Sequence, residues 1–184
     1  MTTPRTLLNL LRSYNRYKTR ALAMNRKDLW GDRQYINLCE YFIDCPLVKY
    51  LGAGNFAVVV ECEGRVFKII KKSDHAYDAF AEFCRLMGPT RYLPEFKGKG
   101  QVRGFTVYEL EKLTRFLSVD HRETIDNLPK AVRREKCDEL KAVIALMYEF
   151  ITDENGLCIH SWDCHNGNFA TRDKFQLVII DPWC

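Results

Sequence analysis

Apolar positions change their spacing along this chain, and each change marks an element. Leu7, Leu8, Leu11 and Tyr14 recur at three- and four-residue intervals, with Leu10 and Tyr17 widening the stripe. That is the period of an α-helix. Thr3-Pro4 precedes it as a cap and a first-turn proline, so the spacing predicts an amphipathic helix over 4–23 whose apolar face docks on the body of the protein. Residues 28–48 are aromatic-rich and lack a clean period, which predicts mixed short elements. From Tyr50 the spacing shortens. Val58-Val59-Val60 and Val66 with Ile69-Ile70 are β-branched runs joined by Glu63-Gly64, a good hairpin connection. A glycine turn precedes them, so a three-stranded antiparallel meander is expected.

The helical period returns at His75–Met87, capped by Ser73-Asp74, with Phe80, Phe83, Cys84 and Met87 on one face and Gly88-Pro89 ending it. Two more strands are predicted, a short one around Leu93–Phe96 and one over Gly104–Leu110. A sheet of five strands with one helix in its middle is then complete by residue 113. Phe116–Ile125 is polar and turn-like. Asn127–Ile151 carries a buried stripe of Leu140, Val143, Ile144 and Met147 and is the longest helical candidate. Leu157–Ile159 reads as a short strand, with Phe175–Ile180 as its return partner.

Composition narrows the class. The 184 residues are 47% hydrophobic and 28% charged, an ordinary globular balance with no apolar run of membrane-spanning length. The N-terminus breaks its apolar run with arginines too early for a signal peptide, so a cytoplasmic protein is expected, with no membrane partner. Eight cysteines without a C-x-x-C pair read as free, buried thiols. Net charge is only +4, but Arg5, Arg12, Arg16, Lys18, Arg20, Arg26 and Lys27 crowd the first thirty residues. Such a run is usually a solvated helix face; an acidic protein or nucleic acid is the partner it would otherwise suit.

Candidate chemistry gathers in two places. His160–Asp181 contains D-x-H-x-x-N (Asp163, His165, Asn168) and then an apolar strand ending in Asp181. Asp163 can accept the proton of an attacking hydroxyl. Asn168 offers a neutral oxygen to a metal, and Asp181 supplies the negative charge that a magnesium ion needs. His165 either meets a transferred phosphoryl group or orients Asp163. The second place is Leu51–Val59, of the form G-x-G-x-x-A-x-V between strands, followed by Lys68 in mid-strand. Gly52 and Gly54 let backbone approach phosphates, although an ordinary tight hairpin has the same sequence. Neither a dinucleotide fingerprint nor a Walker A loop fits, because no helix and no G-K-[ST] follows. Lys68 points either toward a nucleotide or snorkels at the sheet rim. Glu82 is the candidate counter-ion, with Asp78 one turn earlier as the alternative.

Glycine loop, V-x-K, helix, YELEKL, D-x-H-x-x-N and I-I-D occur in an order that resembles the protein-kinase-like superfamily. The D-x-H-x-x-N loop is similar to that of the aminoglycoside phosphotransferases. LGAGNF, EFCRLMG and WDCHNGNF are more similar still to the short Ser/Thr protein kinases of T7-like bacteriophages, over roughly residues 48–183. The resemblance implies an α+β, minimal two-lobed kinase-like fold: an extension over 1–48, an N-lobe over 49–113 and a truncated helical C-lobe over 114–184. It implies ATP and Mg²⁺ as cofactors and phosphorylation of host proteins in the host cytoplasm, with an effect on host transcription or metabolism. Gly52, Gly54, Lys68 and Glu82 would hold ATP, Asp163 and His165 would be catalytic, and Asn168 and Asp181 would bind magnesium. Departures are Ala57 for a third glycine, Trp162 before the catalytic Asp, and Pro182-Trp183 after the metal acid. Small-molecule phosphotransfer and non-catalytic binding of a host protein are the alternatives. A zinc site from Cys158, His160, Cys164, His165 and Cys184 has spacing unlike paired knuckles.

Overall fold

A computed structural model describes residues 2–23, 33–54, 57–71, 74–114, 138–153, 156–163, 165–173 and 175–184. The fold is α+β, built around a five-stranded antiparallel sheet and several helices. It divides into two compact units. One comprises Met1–Asp74 and Phe96–Lys112; the other comprises His75–Glu95 and Leu113–Cys184.

The first unit holds helices α1 (Arg5–Ala23) and α2 (Arg33–Ile43) and strands β1 (Lys49–Ala53), β2 (Ala57–Cys62), β3 (Arg65–Ile70), β4 (Phe96–Val102) and β5 (Phe105–Leu110). Spatial order is β1-β2-β3-β5-β4. Both tight hairpins, at Glu63-Gly64 and Arg103-Gly104, have two successive residues at positive φ. That geometry matches the twist of the flanking strands and favours glycine at the second position.

Alternation along each strand sorts the side chains to two faces. Register places Val58, Val60, Phe67, Ile69, Phe105 and Val107 together. Leu7, Leu10, Leu11 and Tyr14 of α1, with Leu38 and Phe42 of α2, join them in one buried core. The apolar stripe of α1 therefore docks on the sheet as its period predicts, and each such leucine stabilises the unit by about 1.5 to 3 kcal/mol. Arg5, Arg12 and Arg16 lie exposed on the other side of α1; the remaining basic side chains of the N-terminal run fall outside the described ones.

Two elements of the first unit differ from the sequence expectation. Residues 33–43 form one helix rather than mixed short elements: Leu38 and Phe42 lie one turn apart and are both buried. The fourth strand lies at Phe96–Val102, not around Leu93–Phe96. FKGKGQV has little β-forming character of its own. It is extended because it pairs with β5, and as an edge strand it carries lysines.

The second unit contains α3 (His75–Met87), α4 (Asp138–Phe150) and the hairpin β6 (Phe169–Arg172) and β7 (Gln176–Ile179). α3 ends at Gly88, which has φ +69 and donates to the Cys84 carbonyl at 3.1 Å. α4 buries Leu140, Val143, Ile144 and Met147, the predicted stripe. The predicted helical residues 127–137 and the turn at 116–125 lie outside the described residues. β7 does form, but its partner is β6 and not Leu157–Ile159. The latter segment makes only a bridge between Thr152 and Cys158, and Leu157 and Ile159 are exposed.

Six described cysteines are free thiols, but only Cys62 and Cys84 are buried; Cys158 and Cys184 are exposed, contrary to expectation. Burial pushes the Cys84 thiol far above its ordinary range, so it packs as an apolar group. Among the described residues no helix is long and apolar enough to cross a membrane.

Candidate active site

In the second unit, residues 160–168 are sewn to residues 180–184 by main-chain hydrogen bonds. Ser161 N donates to Cys184 O at 3.1 Å and Cys184 N returns to Ser161 O at 3.0 Å. Trp162 bridges Trp183, and Asp163 N donates to Pro182 O at 2.7 Å. The hairpin β6–β7 brings these two stretches together. Asp163 and Asp181 lie on the loops that flank it, which fixes both by backbone pairing rather than by long side-chain reach.

Asn168 is the hub. It closes a 3₁₀ turn over Asn166–Asn168 by donating its amide to His165 O at 2.9 Å. Its own carbonyl accepts from Ile180 N at 2.9 Å and from Asp181 N at 3.3 Å. Its side-chain Nδ2 donates to the Asp163 carbonyl at 2.8 Å. With the amide nitrogen so committed, Oδ1 is the end of this 8% exposed side chain that can serve as an acceptor or a metal ligand. One residue thus ties Asp163 to Asp181.

His165 stands beside Asp163, with Nε2 3.5 Å from Oδ2. Its Nδ1 accepts the Gly167 amide at 3.0 Å. Both side chains are well exposed, as suits groups that meet a substrate. The donor set of Asn168 and Asp181 is oxygen only, which fits a hard cation such as magnesium. Among the described residues no three His, Cys, Asp or Glu side chains gather as a metal-binding group. The described members of the zinc alternative, Cys158, His160, His165 and Cys184, thus form no such cluster; Cys164 lies outside the described residues.

Behind this loop sits an aromatic cluster. Trp183 is buried and packs edge-on against Phe80 (5.7 Å) and Phe83 (6.0 Å) of α3. It stacks over Phe150 of α4 and over His160. Pro182-Trp183 therefore anchors the segment carrying Asp181. The indole nitrogens of Trp162 and Trp183 are buried without a hydrogen-bond partner among the described residues.

Glu82 lies exposed on α3, where Arg85 grips its carboxylate through two hydrogen bonds of 2.9 and 2.5 Å. Asp78, one turn earlier, is half-buried.

In the first unit, one row across the sheet carries the other candidates. Gly52 faces Val59, Val59 faces Lys68, Lys68 faces Tyr108 and Tyr108 faces Lys99. This row lies on the face opposite α1 and α2. Lys68 is 7% exposed. Lys99 lies over the Tyr108 ring at 5.3 Å. Gly54 closes the β1–β2 turn by donating to the Ala57 carbonyl at 2.9 Å, and a Cβ added there would meet nothing within 4 Å. Asn55 and Phe56 lie outside the described residues.

Sequence reasoning missed Gly167, Pro182 and Trp183 as parts of this site. The run His165-Asn166-Gly167-Asn168 was the available signal for Gly167, since glycine between polar residues marks a tight turn. No protein-family model matches the chain, and no curated protein matches it.

Proposed function

We propose that this chain is an ATP-dependent phosphotransferase that phosphorylates Ser and Thr hydroxyls of protein substrates on a minimal two-lobed kinase-like fold. The observation that carries the reading is the Asn168-centred bonding, which gathers a carboxylate, an imidazole, an amide and a second carboxylate onto two paired loops. Such a collection suits phosphoryl transfer, where positioning and charge stabilisation do most of the work.

Asp163 accepts the proton of the attacking hydroxyl. The hydroxyl oxygen bonds to the γ-phosphorus as the bond to the β–γ bridging oxygen breaks, and ADP leaves with those electrons. Lys68, buried on the row that Gly52 begins, holds nucleotide phosphate. Asn168 Oδ1 and the Asp181 carboxylate would hold a magnesium ion, which when bound neutralises phosphate charge. Resemblance to phage kinases supports a host protein as substrate and the host cytoplasm as the place of action.

The test is incubation of the full chain with γ-labelled ATP and whole-cell lysate, beside an Asp163→Asn variant. Label entering polypeptides with wild type alone is the expected result. Label confined to small metabolites would move the assignment to small-molecule phosphotransfer. Equal labelling by both proteins would end the enzymatic reading, and a full biological effect from Asp163→Asn would leave a binding protein.

A further inference from the structure

We propose that Gly167, His165 and Asp163 form a positioning relay, in which the Gly167 amide holds the imidazole so that its Nε2–H faces the Asp163 carboxylate. A neutral imidazole has one protonated and one bare nitrogen. Nδ1 accepts the Gly167 N–H at 3.0 Å, so Nδ1 is the bare nitrogen and Nε2 carries the hydrogen. Nε2 is also the nitrogen nearer the carboxylate, 3.5 Å from Oδ2. That separation is long for a hydrogen bond, as catalytic contacts often are before substrate arrives. His165 is therefore a donor that orients Asp163 and is not itself the proton acceptor of the reaction.

Space around the ring makes the arrangement specific to glycine. A Cβ added at residue 167 would lie 2.6 Å from His165 Cε1 and 2.8 Å from Nδ1. Real Cβ atoms do not approach that closely, and the obstacle is a ring held at its own N–H···Nδ1 bond. Any side chain at 167 must push the imidazole away from the amide that fixes it. Gly167 is thus required for the room it leaves, and its neighbour Asn168 starts the bonding that secures Asp163 from the other side.

The catalytic consequence rests on the phosphotransfer reading, whereas the relay itself does not. Its direct test is nitrogen NMR on the full-length protein, with the His165 signals assigned by their loss in His165→Gln. The expected result is a scalar coupling across the hydrogen bond from Gly167 N to a bare Nδ1, with Nε2 protonated; Gly167→Ala abolishes that coupling. A proton on Nδ1, or no coupling in the wild type, overturns the relay. In phosphate transfer, His165→Ala lowers kcat about ten- to a hundredfold with the KM for ATP unchanged. His165→Gln, which returns an N–H near the Nε2 position, recovers most of that loss. Equal kcat for wild type and His165→Ala would refute the positioning role. A wild type that transfers no phosphate would defeat the phosphotransfer reading, while the coupling would still decide the relay.

Discussion

Arg65 and Glu109 show how a single pair of residues secures the sheet on which Lys68 sits. They are on neighbouring strands β3 and β5, and the guanidinium grips the carboxylate at two points, 2.8 and 2.5 Å. Arg65 also lies over the Phe67 ring at 5.2 Å. Hydrogen bonding from Arg65 holds the Glu109 carboxyl below its ordinary range, outweighing the opposing effect of burial. Because the folded value is depressed, the pair's stabilisation is fully present above the carboxyl's ordinary range. It is lost as pH falls through the lower, folded value. Glu109→Gln should cost about 1 to 2 kcal/mol at neutral pH, less than a fully buried pair because Arg65 is partly exposed. Thermal melts at pH 7 and pH 3 check this. A large gap between wild type and variant at pH 7 that narrows at pH 3 is expected, and a gap independent of pH would contradict the assignment. At the same scale, the motif residues Asp163, His165, Asn168 and Asp181 were legible from spacing. Gly167 was not, because its role depends on where an imidazole comes to rest.

Among the elements, those with strong local character were readable and those made by partners were not. β2 and β3 announce themselves through Val58-Val59-Val60 and Val66, Ile69 and Ile70. α1 and α3 do so through their stripes. β4 is a strand only because β5 supplies its hydrogen bonds, and β6 (FATR) is too short for alternation to show. Phe175–Ile180 was recognised as extended, yet strand partners are set by tertiary contact and its own turn, which no local period records. α2 was missed because tyrosines and isoleucine in RQYINLCEYFI suit strand as well as helix. The docking of α1 can be tested alone. Leu11 is fully buried against the sheet, so Leu11→Ala should lower stability by about 2 to 5 kcal/mol. Denaturant unfolding measures it, and a loss below about 0.5 kcal/mol, the range of a neutral surface change, would mean that α1 is not part of this core.

For the whole molecule, the chain crosses between its units at 74/75, 95/96 and 112/113, so each unit is assembled from separate stretches of sequence. The first owns the glycine turn and the buried lysine; the second owns the paired loops with Asp163, Asn168 and Asp181. A five-stranded sheet with helices is compatible with many activities, and function is argued from sites. Asn168 and Pro182-Trp183 hold Asp181 in register with Asp163, and the proposed transfer of phosphate depends most on this carboxylate. The most direct test is the rate of γ-phosphate transfer from ATP to protein by the purified full chain with magnesium, comparing wild type with Asp181→Ala. We expect transfer by the wild type and a loss of about a hundredfold or more in the variant, with the circular dichroism of the two proteins alike. Equal rates, or no transfer by the wild type, would contradict the account.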